Sequence, residues 1–160
     1  MGLARAVREG ANCQGSRVGA LLVLENRVIS TGFNGTPTGF PNCSDGGCVR
    51  CNDSVLHRDG RGDDATDPLH TSGRALDVCI CVHAEQNAFL TAARFGIRVD
   101  GATLYTTLSP CFGCLKEAVQ AGVRRVVFED RYATSYSDAL QQQYDDLAAH
   151  LAGGDPHGFE

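Results

Sequence analysis

The sequence predicts an α/β fold in which helices cover both faces of one mixed β-sheet. Three observations predict it. An apolar hairpin near the start supplies antiparallel strands. Further along, strands alternate with helices, the pattern of a parallel sheet. At 160 residues the chain can build one sizeable core, so both portions are expected in a single domain over 1–160.

Taken in order, Leu3 to Gly10 reads as a short helix. Val18 to Glu25 (VGALLVLE) is an apolar run of strand length, and Arg27 to Phe33 (RVISTGF) follows it after a tight turn at Asn26. Residues 34–81 form a Cys-rich insertion crowded with Gly, Pro, Asp and Asn, without a steady period. A stretch of that length needs something functional to order it inside a compact domain. His83 to Phe95 reads as a helix, with Ala84, Ala88, Leu90 and Ala92 as its apolar or small positions and Gly96 as the C-terminal cap. Ala102 to Thr107 is a third strand. Ser109 and Pro110 then suit the N-cap and first turn of another helix, which ends near Gly122. Arg124 to Glu129 is a fourth strand, Ser137 to Leu151 a polar-faced helix, and Gly153 to Glu160 a frayed end.

Composition narrows the function. Apolar residues make up 42% and charged residues 21%, which reads as soluble and globular. A net charge of -5 argues against gripping long nucleic acid through its phosphates, but leaves room for a single nucleotide. No segment is apolar over the length a membrane span needs, and the first residues lack the apolar core of a signal peptide. The expectation is a cytoplasmic protein. Its eight cysteines then point to metal before disulfides.

The sharpest signal is His83-Ala84-Glu85 followed by Pro110-Cys111-Phe112-Gly113-Cys114. Cys111 and Cys114, three apart at a helix start, project from one face, where the positive helix end favours thiolates. With His83 they make a three-ligand zinc site that keeps a fourth position for water, and zinc brings such a water to hydroxide near neutral pH. Glu85, two residues past the ligand histidine, lies beside the metal without binding it and can shuttle protons. A lone Cys-x-x-Cys could equally be a structural zinc knuckle or a redox pair. The five positions together match the H-x-E…P-C-x-x-C signature of zinc deaminases.

At this point the chain resembles the deoxycytidylate (dCMP) deaminase family of the cytidine deaminase superfamily. Gly32-Phe33-Asn34-Gly35-Thr36-Pro37 is similar to that family's G-[YF]-N-G-x-P loop. Asn42-Cys43, Gly46-Gly47-Cys48-Val49-Arg50-Cys51 and Cys79 to Ala88 are similar to a cysteine-rich subset of it. The resemblance, from about Ala4 to Tyr132, implies a three-layer α/β/α sandwich and hydrolysis of dCMP to dUMP and ammonia. It implies that Asn34 contacts the deoxyribose, that Tyr132 meets the phosphate end, that the backbone at Ser109 receives the exocyclic amine, and that the backbone at Ala84 meets the pyrimidine carbonyl. For Asn34 a plain turn role stands beside this, for Tyr132 a packing role. It also implies a homo-oligomer and regulation by dCTP and dTTP; Arg94, at a position linked to that response, reads better as a solvated helix-end charge.

Six cysteines remain. Cys48, Cys51, Cys79 and Cys81 could hold a second, structural zinc that orders the insertion. Cys13 and Cys43 have counterparts in relatives with fewer cysteines and are weaker ligand candidates, as are His57 and His70. Three departures from the family matter. The segment Cys13 to Arg17 carries one basic residue where relatives have more. The start lacks the aromatic residues that often precede the first helix. The end offers no apolar run for a fifth strand, so the sheet has four to five strands. These departures keep other small substrates open: cytidine, deoxycytidine, a modified pyrimidine or a purine base. A non-catalytic zinc scaffold is the alternative from another class, and Glu85 argues against it.

Overall fold

Glu25 and Asn26 both hold left-handed backbone (φ 51° and 62°), which is what a two-residue hairpin loop of type I′ requires. They join β1 (Gly19–Leu24) to β2 (Arg27–Phe33), which pair antiparallel with Leu24 opposite Arg27. The register slips between Leu22 and Val23, leaving Ile29 as the extra residue of a bulge. The computed structural model describes residues 1–52, 79–131 and 136–152.

β3 (Thr103–Leu108) pairs antiparallel with β1 and parallel with β4 (Arg125–Asp130), giving the strand order β2-β1-β3-β4. The sheet is therefore mixed and four-stranded among the described residues. A fifth strand beyond Ala152 falls outside them. β1 lies inside the sheet, and Gly19 to Leu22 are buried, as its unbroken apolar run requires.

The helices are α1 (Gly2–Arg8), α2 (Ala84–Arg94), α3 (Phe112–Gln120) and α4 (Asp138–Ala152). Two glycines show how α1 and α2 divide between the faces. A Cβ on Gly19 would lie 2.2 Å from the Ala4 carbonyl oxygen of α1, and one on Gly32 would lie 2.2 Å from that of Ala84 in α2. Gly32 pairs with Ala20, so Gly19 and Gly32 point to opposite faces. α1 and α2 thus sandwich the hairpin, each seated where only hydrogen fits. The main core, on the α2 side, gathers Ala20, Leu22, Ala84, Ala88, Ala92, Leu104, Leu115 and Val126.

α2 approaches closely because its buried stripe is Ala84, Ala88 and Ala92, spaced four apart. Leu90 is an apolar position of the same helix. It is exposed, since two positions along a helix rotate a side chain to the far side. Gly96 and Gly122 end α2 and α3 in left-handed backbone (φ 65° and 77°). In each case the amide just past the glycine bonds back five residues, Ile97 to Ala92 O and Val123 to Ala118 O, which closes a Schellman cap. Among the described residues no helix is long and apolar enough to cross a membrane.

Candidate active site and cysteine cluster

His83 is the N-cap of α2, in extended backbone, and its own N–H donates to Gln86 Oε1 at 3.1 Å. Gln86 Nε2 donates onward to Glu117 Oε1 at 2.9 Å, tying the start of α2 to α3. Cys111 is the N-cap of α3, and Cys114 lies in its first turn. The helix was expected to be capped by Ser109. It starts later because the Ser109 N–H still bonds Asp130 O, extending the β3–β4 ladder, while the Cys111 carbonyl accepts the first helical bond from Leu115. The shift places both sulfurs at the positive end of the helix.

His83 Nδ1 lies 3.4 Å from Cys111 Sγ and 3.3 Å from Cys114 Sγ. These three ligand atoms could hold one metal ion. The Cys111 thiol is pushed down to about 4, first by a hydrogen bond from Cys114 and then by His83. The same contact with Cys111 raises the His83 imidazole to about 9. A thiolate is thus favoured at Cys111, and the His83 imidazole must release its proton for Nδ1 to bind a cation.

Glu85, in the first turn of α2, is 4% exposed. Burial pushes its carboxyl up to about 7, against the opposing pull of backbone amides and His83. Thr106 Oγ1 sits 3.5 Å from Glu85 Oε1 and donates at 3.0 Å to Leu108 O. A hydroxyl has one proton, so with that proton on Leu108 the Thr106 oxygen can accept from a protonated Glu85. The sequence reading missed Thr106; its inward place on β3, opposite Ala20, was the available signal.

The other expected residues fall around this centre. Asn34 is buried, with Oδ1 accepting from Val18 N (2.8 Å) and Nδ2 donating to Ser16 O (2.7 Å). Next to it, Gly35 and Val82 exchange two backbone bonds of 3.2 and 2.9 Å, so the Asn34 loop is fastened one residue before His83. Ala84 is fully buried, and its N–H belongs to the first turn, where no intrahelical partner exists. Ser109 is buried at the end of β3. Pro110 O accepts from the Tyr144 hydroxyl at 2.7 Å, which seats α4 behind the thiol pair. Arg17 donates from Nε to Ala11 O at 3.0 Å and pairs with Glu9. Tyr132, His57 and His70 lie outside the described residues.

The remaining thiols form a second centre. Cys43, Cys48, Cys51 and Cys81 are buried, with Cys13 and Cys79 half-buried beside them. The expected group Cys48, Cys51, Cys79 and Cys81 comes together within 4.8 Å, and so does a group of Cys13, Cys43, Cys51 and Cys81. Asn12 and Gln14, for which the sequence offered no signal, hold this region: Asn12 Nδ2 donates to Asn42 Oδ1 at 2.8 Å and Gln14 Nε2 to Ser44 O at 3.1 Å.

Comparison with known proteins gives a consistent picture. The family model described as the cytidine and deoxycytidylate deaminase zinc-binding region matches residues 1–130. A deoxycytidylate deaminase of Schizosaccharomyces pombe is 39% identical over 132 residues, which are 82% of this chain and 36% of that protein. The chain therefore spans about a third of that relative's length. A deoxycytidylate deaminase of Mycobacterium phage D29 is 37% identical over 80% of this chain and 89% of its own. Among solved structures, the dCMP deaminase of cyanophage S-TIM5 in complex with dCMP and dUMP aligns over 99% of this chain and 89% of its own, at 26% identity and a TM-score of 0.63.

Proposed function

Because the chain belongs to the cytidine and deoxycytidylate deaminase family, we propose that it is a zinc-dependent hydrolase that converts dCMP and water to dUMP and ammonia. One observation carries the reading: three metal-binding atoms converge at two helix starts beside a buried carboxyl. One histidine and two cysteines are a donor set that suits zinc and leaves a tetrahedral ion one position short of complete. His83, Cys111 and Cys114 would hold the ion. When bound, zinc supplies Lewis acidity that makes water a nucleophile near neutral pH.

The chain's own residues do the rest. Glu85 takes a proton from the attacking water and gives it to the ring nitrogen N3. As the water oxygen bonds to C4, Glu85 takes the second proton from that oxygen and carries it to the exocyclic nitrogen, so that the C4–N bond breaks, ammonia leaves and C4 keeps the oxygen as a carbonyl. Burial favours the protonated form of this carboxyl and a bound dication would favour the carboxylate, so both forms are within reach of the proton transfers. Its burial excludes bulk water from that exchange. The Ala84 N–H donates to the pyrimidine carbonyl, and the Ser109 carbonyl accepts from the exocyclic amine. Asn34, already fixed by Val18 and Ser16, turns its remaining N–H to the deoxyribose, and Tyr132 serves the phosphate end. A metal bound at the second thiol centre orders the insertion. Exposed Val28 and Phe33 on the edge strand β2 support a homo-oligomer. dCTP and dTTP are its candidate effectors.

Deoxycytidine is the second reading. It is favoured by Arg17, whose guanidinium is engaged with Glu9 and Ala11 and so is not aimed at a phosphate. An ammonia-release assay over dCMP, CMP, deoxycytidine, cytidine, guanine and adenine separates the two. Turnover of dCMP above all others is expected. Background rates on dCMP beside turnover of deoxycytidine would move the assignment to the nucleoside.

A further inference from the structure

We infer that the six cysteines outside the candidate active site hold two zinc ions in one binuclear thiolate cluster, bridged by Cys51 and Cys81. The inference rests on the reading of this centre as a metal site and deepens it in ligand set and metal count.

Two four-thiol groups occupy the same place and share two members. Cys13, Cys43, Cys51 and Cys81 form one group; Cys48, Cys51, Cys79 and Cys81 form the other. Zinc in structural sites takes four ligands. One ion would leave two of these six thiols idle, and two separate sites would need eight. Two ions that share two thiolates use all six. The shared pair is buried, as are Cys43 and Cys48, whereas Cys13 and Cys79 are half-buried.

The spacing agrees. Cys13 to Cys51 and Cys48 to Cys79 are each 3.8 Å, and Cys51 to Cys79 is 4.0 Å. With zinc–sulfur bonds of about 2.3 Å, the edge of a tetrahedron of sulfurs is about 3.8 Å. A disulfide would bring sulfurs to about 2.05 Å, so these are clustered thiols and not bonded pairs. An iron–sulfur cluster is disfavoured, since its four cysteines are terminal ligands and inorganic sulfide does the bridging.

Backbone donors compensate the charge that six thiolates would leave over two dications. Gln14 N donates to Cys43 Sγ at 3.4 Å, and the Gly15 and Ser16 amides face Cys13. Cys81 N–H faces Cys79. The ligands come from three stretches: the segment after α1, the insertion with its helical residues 49–52, and the residues leading into α2.

The test is metal counting on the full chain, purified reduced, saturated with zinc and freed of loose metal, by native mass spectrometry. Three ions per chain are expected. His83→Ala with Cys111→Ser should leave two, and Cys13→Ser should lower the affinity of one ion without emptying the other. X-ray absorption at the zinc edge of the wild-type chain should show a metal–metal distance of roughly 3 Å, as for two tetrahedra sharing an edge. Saturation at two ions without a metal–metal vector would overturn the binuclear cluster, and so would iron with acid-labile sulfide. The result is independent of deamination: a chain with three ions that leaves dCMP untouched would keep the cluster and refute only the proposed substrate.

Discussion

Replacing Glu85 with glutamine should separate activity from stability in opposite directions. The amide keeps the size of the side chain but cannot carry a proton between water and substrate. Positioned acid–base catalysis contributes roughly 10²- to 10⁴-fold, and here one group serves two transfers, so kcat should fall by about 10⁴-fold or more. Stability should move the other way. Burial raises the Glu85 carboxyl from 4.5 to about 7, so the folded chain binds the proton more tightly than the unfolded one. The carboxyl's share of stability is then fully present below 4.5 and is lost as pH rises toward 7. A rise of about 2.5 corresponds to about 3 kcal/mol. In chelator-treated protein at pH 8, Glu85→Gln should therefore be the more stable chain by about that amount, and near pH 4.5 the two should converge. Denaturant titrations at the two pH values read this difference. Full ammonia release by the glutamine variant, or a variant less stable than wild type at pH 8, would refute the reasoning.

Other perturbations probe the frame around the site. Gly32→Ala puts a methyl 2.2 Å from the Ala84 carbonyl, so α2 must shift. A loss of about 1–3 kcal/mol in thermal or denaturant melts is expected, with a fall in kcat because His83 and Glu85 ride on that helix. Gln86→Ala removes the acceptor of the His83 N–H and the link to Glu117, and should cost about 0.5–2 kcal/mol while weakening zinc retention in a competition with a chromogenic chelator. Tyr144→Phe deletes the bond to Pro110 O and should cost about 0.5–1.5 kcal/mol with activity largely kept; a large loss of kcat would place Tyr144 in the chemistry instead.

Local chemistry made much of this legible. The unbroken apolar run of β1 fits a strand buried inside a sheet, and Asn26 with its neighbour can adopt the backbone that a two-residue hairpin needs. Gly96 and Gly122 end their helices as expected because only a residue without Cβ closes a Schellman cap at no steric cost. What was hidden depends on neighbours distant in sequence. Ser109 looked like a cap until a backbone bond to Asp130 held it just past the end of the strand. The approach of Cys13 to Cys51 and Cys81 arises from folding the start of the chain against the insertion, and no spacing rule reports that.

The two thiol centres are joined by a short length of backbone. Cys81 lies in the second centre, His83 in the first, and Val82 between them is pinned to Gly35 by two hydrogen bonds. Gly35 in turn follows Asn34, whose amide is locked to Val18 and Ser16. Any force that reorders Cys81 therefore acts on the N-cap of α2 and on the Asn34 loop together. Metal removal should follow that path. A chelator strong enough to strip the cysteine cluster should raise KM as well as lower kcat, because the Asn34 loop is loosened along with His83. Zinc restored at one equivalent should fill the tighter centre first, and activity should return in step with that filling only if the His83 centre is the tighter one. If activity instead lags until the cluster is loaded while metal counting shows the His83 centre already filled, the cluster sets the geometry on which the His83 centre depends. Steady-state kinetics during a zinc titration distinguishes the two orders. Recovery of both KM and kcat with the cluster still empty, as metal counting would show, would remove the coupling.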